Sequence, residues 1–82
     1  MKKLVEYGRD DHPADDPERP QVAWAVALVD DCDECGDARV ALTMEDVGDP
    51  GAGLTAHLAP ATARRLRATL ATALRELGER PD

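Results

Sequence analysis

The sequence predicts an α+β fold: a three-stranded antiparallel meander, or a four-stranded one if residues 2–7 add an edge strand, packed against one C-terminal helix. Three segments between residues 21 and 58 alternate in hydrophobicity with the period of two that is typical of strands. Residues 60–78 instead carry apolar side chains with the period of a helix. Because the connections are short, neighbouring strands are expected to pair in antiparallel order. The 82 residues are predicted to form one domain, residues 1–82.

The predicted sheet, residues 21–59, has a bulky face and a small face. In its first strand the bulky positions are Val22, Trp24, Val26 and Leu28, and the small positions are Ala23, Ala25, Ala27 and Val29. Residues 38–47 continue this alternation, with Val40 and Leu42 on the bulky face and Ala41 on the small one. Polar turns are expected between the strands, and residues 54–58 are predicted to form the last strand.

The predicted helix, residues 60–78, has clear start and stop signals. Pro60 suits the first helical position, and Gly78 suits the position just past the end. The apolar stripe of this helix consists of Ala63, Leu66, Leu70, Ala73, Leu74 and Leu77. We expect the stripe to lie on the bulky face of the sheet, because this helix has only one apolar side to bury.

The chain is strongly acidic, with 17 acidic and 10 basic residues and a net charge of −7. A field of this sign repels nucleic-acid backbones and anionic lipids, so neither is an expected partner. Residues 8–20 contain five acids and three prolines and are predicted to form a mobile acidic loop. There is no apolar run long enough for a signal peptide or a membrane span, which predicts a cytoplasmic protein. The richness in Ala, Asp and Arg indicates a high-GC genome, that of an actinobacterium or of a halophile.

The motif Cys32-Asp-Glu-Cys35-Gly36 supplies half of a tetrahedral zinc site. If His57 pairs opposite Thr43, it lies about 20 Å from the motif, at about 3.3 Å per strand residue. The missing ligands are then expected from a second chain or from His12. Three interpretations stay open: a reduced cysteine pair in a polar turn, a zinc site that bridges two chains, and a redox or disulfide pair.

The surroundings of the two cysteines bear on these alternatives. The flanking carboxylates disfavour a thiolate, which argues against redox chemistry, but they attract cations. A calcium loop that begins at Asp31 fails, because its fifth and twelfth positions are Cys35 and Leu42. No cofactor other than zinc is expected.

Two surfaces are candidates for protein contacts. The first is the small face, with Ala23, Ala25, Ala27 and Ala41, which faces water if the helix covers only the bulky face. The second is the arginine set Arg64, Arg65 and Arg67 in the first half of the helix, which the sequence also allows to be simply solvated. A core with no Phe, one Trp and one Tyr favours self-association.

The sequence predicts a non-enzymatic protein. It has no serine, no glycine-rich phosphate loop before a helix, and no acid–base partner at fixed distance from its histidines. The expected function is that of a small protein–protein interaction or regulatory accessory domain, homodimeric through the alanine face. The first alternative is a zinc-binding protein that uses Cys32 and Cys35, and the second is an acidic inhibitor or antitoxin whose residues 8–20 contact a basic partner.

The stretch VALTMEDVGDPGAGL, from Val40 to Leu54, is followed by TAHLAP and an Ala/Arg/Leu helix. Over residues 40–70 this succession of strand, Asp-Pro-Gly turn, strand and Pro-started helix resembles the second half of small actinobacterial regulators related to BldB. The resemblance implies a cytoplasmic, homodimeric regulatory accessory that acts through protein contacts.

Overall fold

The computed structural model describes residues 2–49 and 51–80. Within them the elements are β1 (Lys2–Arg9), β2 (Val22–Val29), β3 (Arg39–Asp46), β4 (Leu54–Leu58) and α1 (Pro60–Glu76). The strands form one antiparallel sheet in the order β1-β2-β3-β4. The predicted α+β meander with a C-terminal helix is therefore confirmed, in its four-stranded form. Pro50 of the predicted Asp-Pro-Gly turn, Met1 and residues 81–82 lie outside the described residues.

Strand β1 is longer than the sequence predicts, because it includes Gly8 and Arg9. These two residues pair with Trp24 and Ala23, so the predicted boundary of the acidic loop at residue 8 is wrong by two residues. The register shifts between Leu4 and Glu6, which marks a β-bulge. The sheet therefore starts at Lys2 rather than at residue 21.

The connection between β1 and β2, residues 10–21, makes several hydrogen bonds within itself. The Gln21 side-chain amide donates to the His12 carbonyl oxygen at 2.8 Å, and His12 Nε2 lies 2.8 Å from an Asp16 carboxylate oxygen. The backbone N–H of Glu18, and then the His12 ring, hold the pKa of Asp16 below its usual value. The mobility of this acidic segment stays a prediction.

The register of the sheet places the side chains on a bulky face and a small face, as the sequence pattern predicts. Val26, Leu42 and Ala56 are cross-strand partners on the bulky face. Ala27, Ala41 and His57 are partners on the small face. Beside this second row, the hydroxyl groups of Thr43 and Thr55 lie 2.9 Å apart.

The most buried apolar side chains lie on the small face. Among the described residues they are Val29, Ala27 at 5% exposure and Ala41 at 2%. The expectation that Ala27 and Ala41 form part of a water-facing patch is therefore wrong for these two residues. Ala23 and Ala25 are half-buried.

Helix α1 begins at Pro60, and the N–H groups of Gly78 and Glu79 close its last turn on the carbonyl oxygens of Arg75 and Leu74. Its stripe faces the bulky face, as predicted, but it covers that face poorly. No residue of Pro60–Glu76 is buried, and Leu70 is 57% exposed. A cavity of about 320 Å³ separates the helix from the sheet. Its apolar lining consists of Val26, Val40, Leu42, Leu58, Ala63, Leu66, Leu70, Ala71 and Leu74.

The turn before β4 provides a test of the β3–β4 pairing. A Cβ atom at Gly53 would stand 2.7 Å from the Glu45 Cβ atom and 2.8 Å from the Met44 carbonyl oxygen. Gly53→Ala is therefore expected to lower the free energy of unfolding by about 1–3 kcal/mol, because backbone must shift. Chemical denaturation measures this change.

Gly48→Ala is the matched control, because its added methyl group meets only the Asp46 carboxylate, at 3.3 Å. We expect this variant to stay within about 0.5 kcal/mol of the wild type. Equal losses in the two variants would contradict the described pairing.

Candidate metal centre

Residues 30–38, which connect β2 to β3, fold back onto the small face of the sheet. The turn closes through a hydrogen bond of 3.1 Å from the Gly36 N–H to the Cys32 carbonyl oxygen. Gly36 has a φ of 73°, a backbone conformation that other residues rarely adopt. The Arg39 guanidinium donates to the Cys35 carbonyl oxygen at 3.4 Å, which ties the end of the turn to the start of β3.

This path brings Cys32, Cys35 and His57 together. One potential ligand atom from each residue lies within 4.8 Å of the other two. The Cys35 Sγ atom is 3.5 Å from His57 Nδ1. Both cysteines are free thiols and half-buried, and His57 is exposed. The structure therefore places three ligands of the types that zinc prefers at one point.

The expectation that His57 is about 20 Å from the cysteines is wrong, for two reasons. His57 pairs with Ala41 rather than with Thr43, which moves it two residues closer to the start of β3. The turn also folds back over the sheet instead of extending away from it, as the contact between Cys35 and His57 shows.

The alanines of the small face explain how the turn can lie so close. Ala41 stands beside His57 in the neighbouring strand, and Ala27 stands beside Ala41. Because each of these side chains is a single methyl group, the turn can approach the sheet and cover them. The near-complete burial of both alanines agrees with this close approach.

The distances match the edges of a tetrahedral zinc site. Zinc–sulfur and zinc–nitrogen bonds of about 2.3 and 2.0–2.1 Å give ligand separations of about 3.6 Å between S and N and about 3.8 Å between two sulfurs. The observed separation of 3.5 Å between Cys35 Sγ and His57 Nδ1 agrees with the first value. Because no two of the three ligand atoms are more than 4.8 Å apart, each separation exceeds that of a zinc-bound site by at most about 1 Å.

A carboxylate stands next to the three ligands. The Cys32 thiol donates to a Glu34 carboxylate oxygen at 3.6 Å. A sulfur and an oxygen ligand of one tetrahedral zinc ion are also about 3.6 Å apart. Glu34 is not one of the three residues whose ligand atoms all lie within 4.8 Å of one another. Rotation of its exposed side chain is therefore needed for it to become a fourth ligand.

The state of the thiols is set by their proximity. Hydrogen bonding with Cys32, followed by desolvation, raises the pKa of the Cys35 thiol above its ordinary value of 9.0. The Arg39 guanidinium acts in the opposite direction but does not outweigh them. Without a metal ion, Cys35 is thus held as a neutral thiol, and metal binding must release its proton.

The other residues singled out from the sequence lie elsewhere. His12 contacts Asp16 in the connection between β1 and β2 and is not one of the three ligands. Arg64, Arg65 and Arg67 belong to α1, over the opposite face of the sheet. The length of the β2–β3 connection, longer than a tight hairpin needs, was the sequence signal that could have indicated the return of the turn to His57.

No protein-family model, curated protein or solved structure matches this chain. Within the described part of the chain, no helix has both the length and the apolar character needed to cross a membrane.

The proximity of the two sulfurs predicts a shifted titration. In metal-free, reduced protein the Cys35 thiolate is expected to form at a higher pH than an ordinary thiolate, because Cys32 and desolvation favour the neutral form. Cys32→Ala removes the larger cause, so the Cys35 thiolate should form at a lower pH in this variant. Thiolate absorbance in the ultraviolet, followed against pH, measures the difference.

The same shift affects stability. Because folding raises the pKa of Cys35, its contribution to the free energy of unfolding is complete below about pH 9 and is lost as the pH rises through the folded-state pKa. An identical alkaline titration in the wild type and in Cys32→Ala would contradict the described contact between the two thiols.

Proposed function

We propose that this chain is a zinc-binding protein whose ion is held by Cys32, Cys35 and His57. The observation that carries this proposal is the convergence of two sulfur atoms and an imidazole nitrogen within 4.8 Å. Two thiolates and one neutral imidazole balance the charge of Zn²⁺, and soft sulfur ligands favour zinc over calcium or magnesium. The acidic side chains along residues 30–37 favour the approach of a cation.

One chain supplies three ligands, so a second chain is not needed to assemble the site. The fourth position is open to the Glu34 carboxylate or to water. The sequence alternative of a zinc ion shared between two chains rested on the absence of a third ligand within reach. His57 supplies that ligand.

The proposed role of the ion is structural. The small chain buries only Ala27, Val29 and Ala41 among its described residues, and such small cores commonly need a staple. An ion bound by Cys32, Cys35 and His57 would link the β2–β3 turn to β4, two segments that are separate in sequence. This cross-link would stabilise the covered part of the small face.

A redox role for the two cysteines is less well supported. Redox-active thiols depend on a lowered pKa, whereas the pKa of Cys35 is raised. The close imidazole also completes a metal-ligand set that a disulfide would not use.

A second candidate function is that of a non-enzymatic protein–protein interaction or regulatory accessory domain. The exposed leucines of α1 and of its C-cap support it, because Leu70 is 57% and Leu77 is 78% exposed, and such a stripe is typical of a contact surface. The two functions are compatible, since His57 and the helix lie on opposite faces of the sheet.

Zinc binding is testable by ligand substitution. The wild type is expected to bind one zinc ion per chain, and Cys35→Ser or His57→Ala to lower the affinity at least about 100-fold, because each removes a direct ligand. Zinc at 100 times its Kd should raise the free energy of unfolding by about 2.7 kcal/mol. Competition with a chromophoric chelator measures affinity, and the visible spectrum of the Co²⁺ form reports sulfur ligands and tetrahedral geometry.

His12→Ala is the matched control, because His12 is the other histidine of the chain and contacts Asp16 instead of the cysteines. Its zinc affinity should equal that of the wild type. Equal affinity for zinc in His12→Ala and His57→Ala, or a wild type that binds none, would rule out this centre.

A further inference from the structure

The chain exposes far more surface than a folded monomer of its size. A monomeric protein of 8.8 kDa exposes about 4,800 Å². This chain exposes 6647 Å², which is about 1,900 Å² more. Its radius of gyration, 14.7 Å, also exceeds the value of about 12 Å expected for 82 residues. The fold therefore has an uncovered surface of the size that a partner would bury.

Part of the uncovered apolar surface lies in the groove between α1 and the bulky face of the sheet, which we call the helix–sheet groove. Leu66, Leu70 and Leu74 of α1 line it and remain exposed. On the sheet side it is lined by Val26, Val40, Leu42 and Leu58. Arg67 is the only charged side chain among its lining residues.

The excess area of the whole chain is of the size that a dimer buries. Each partner of an obligate dimer buries about 1,000–2,500 Å², and the excess of about 1,900 Å² lies within that range. An excess of this size is what one partner loses when a dimer forms. A second copy of the same chain is the partner that is always present at equal concentration.

The charge distribution favours the same occupant. Helix α1 carries four arginines and one glutamate, so its formal charge is +3, whereas the whole chain carries −7. The remainder of the chain is therefore at −10. Between residues of the described ranges, no ion pair involves these arginines. A cationic helix is attracted to the acidic remainder of a second copy, and Arg67, which lines the groove, would lie at that contact.

We infer that two copies of this chain associate through their helix–sheet grooves, with the leucine stripe of each α1 against the groove of the other. A two-fold axis makes such an interface self-complementary, because the same groove and stripe occur on both copies. This inference gives the second candidate function its partner and does not depend on zinc. It places the interface on the bulky face of the sheet. On the opposite, small face, Ala27 and Ala41 are already covered.

The test is native mass spectrometry and sedimentation of the reduced full chain at several concentrations, with and without a chelator. We expect a dimer that persists when zinc is removed and a melting temperature that rises with protein concentration. Leu70→Glu places a charge in the groove and should weaken dimerisation at least about 30-fold. Leu70→Met, which keeps the apolar volume, should remain dimeric.

Ala25→Glu is the matched control on the alanine face, where Ala25 is half-buried. It should remain dimeric, and dissociation by Ala25→Glu but not by Leu70→Glu would overturn the inference. A wild type that is monomeric would also overturn it, whether or not a small apolar molecule binds in its groove. If Leu70→Glu is insoluble, a wild-type melting temperature independent of concentration would overturn it as well. A dimer that binds no zinc would refute only the zinc proposal.

Discussion

The row of cross-strand neighbours Ala27, Ala41 and His57 determines much of the remaining structure. Two methyl groups in the middle strands leave room for the β2–β3 turn, and the imidazole at the edge gives that turn a polar contact. Among the described residues, the buried side chains are Ala27, Val29 and Ala41, on the face onto which this turn folds back. A shift of β4 by one residue would move His57 to the other face, so the register and the candidate metal centre depend on each other.

The two faces of the sheet are covered by different means. The small face is covered by a short turn that three potential metal ligands can fix in place. The bulky face is covered by a helix that stays far enough away to leave a cavity of about 320 Å³. The molecule is consequently thin, with a smallest extent of 17 Å, close to the thickness of one sheet and one helix. A chain with one Trp, one Tyr and no Phe lacks the volume to fill both interfaces from within.

Much of the fold could be predicted from the sequence because its signals are local. The alternation in β2 and β3 and the limits set by Pro60 and Gly78 depend on neighbouring residues, and the structure follows them. The position of His57 relative to Cys35 depends on strand register and on the path of a turn, which are long-range properties. The burial of Ala41 has the same origin, because no local pattern shows that the turn returns to the sheet. Two of the three candidate ligands, the cysteines, were therefore visible in the sequence, whereas the histidine was placed too far away.

The open edges of the sheet restrict how this molecule can aggregate. Strand β1 forms one edge and carries Lys2, Lys3, Glu6 and Arg9 together with a bulge, and strand β4 forms the other edge and has only five residues. Charges, bulges and short strands all oppose the addition of a foreign strand to a sheet edge. These features disfavour fibril formation by the addition of strands at either edge of the sheet. Association of this chain is therefore expected to use the apolar side chains and not the backbone of the edge strands.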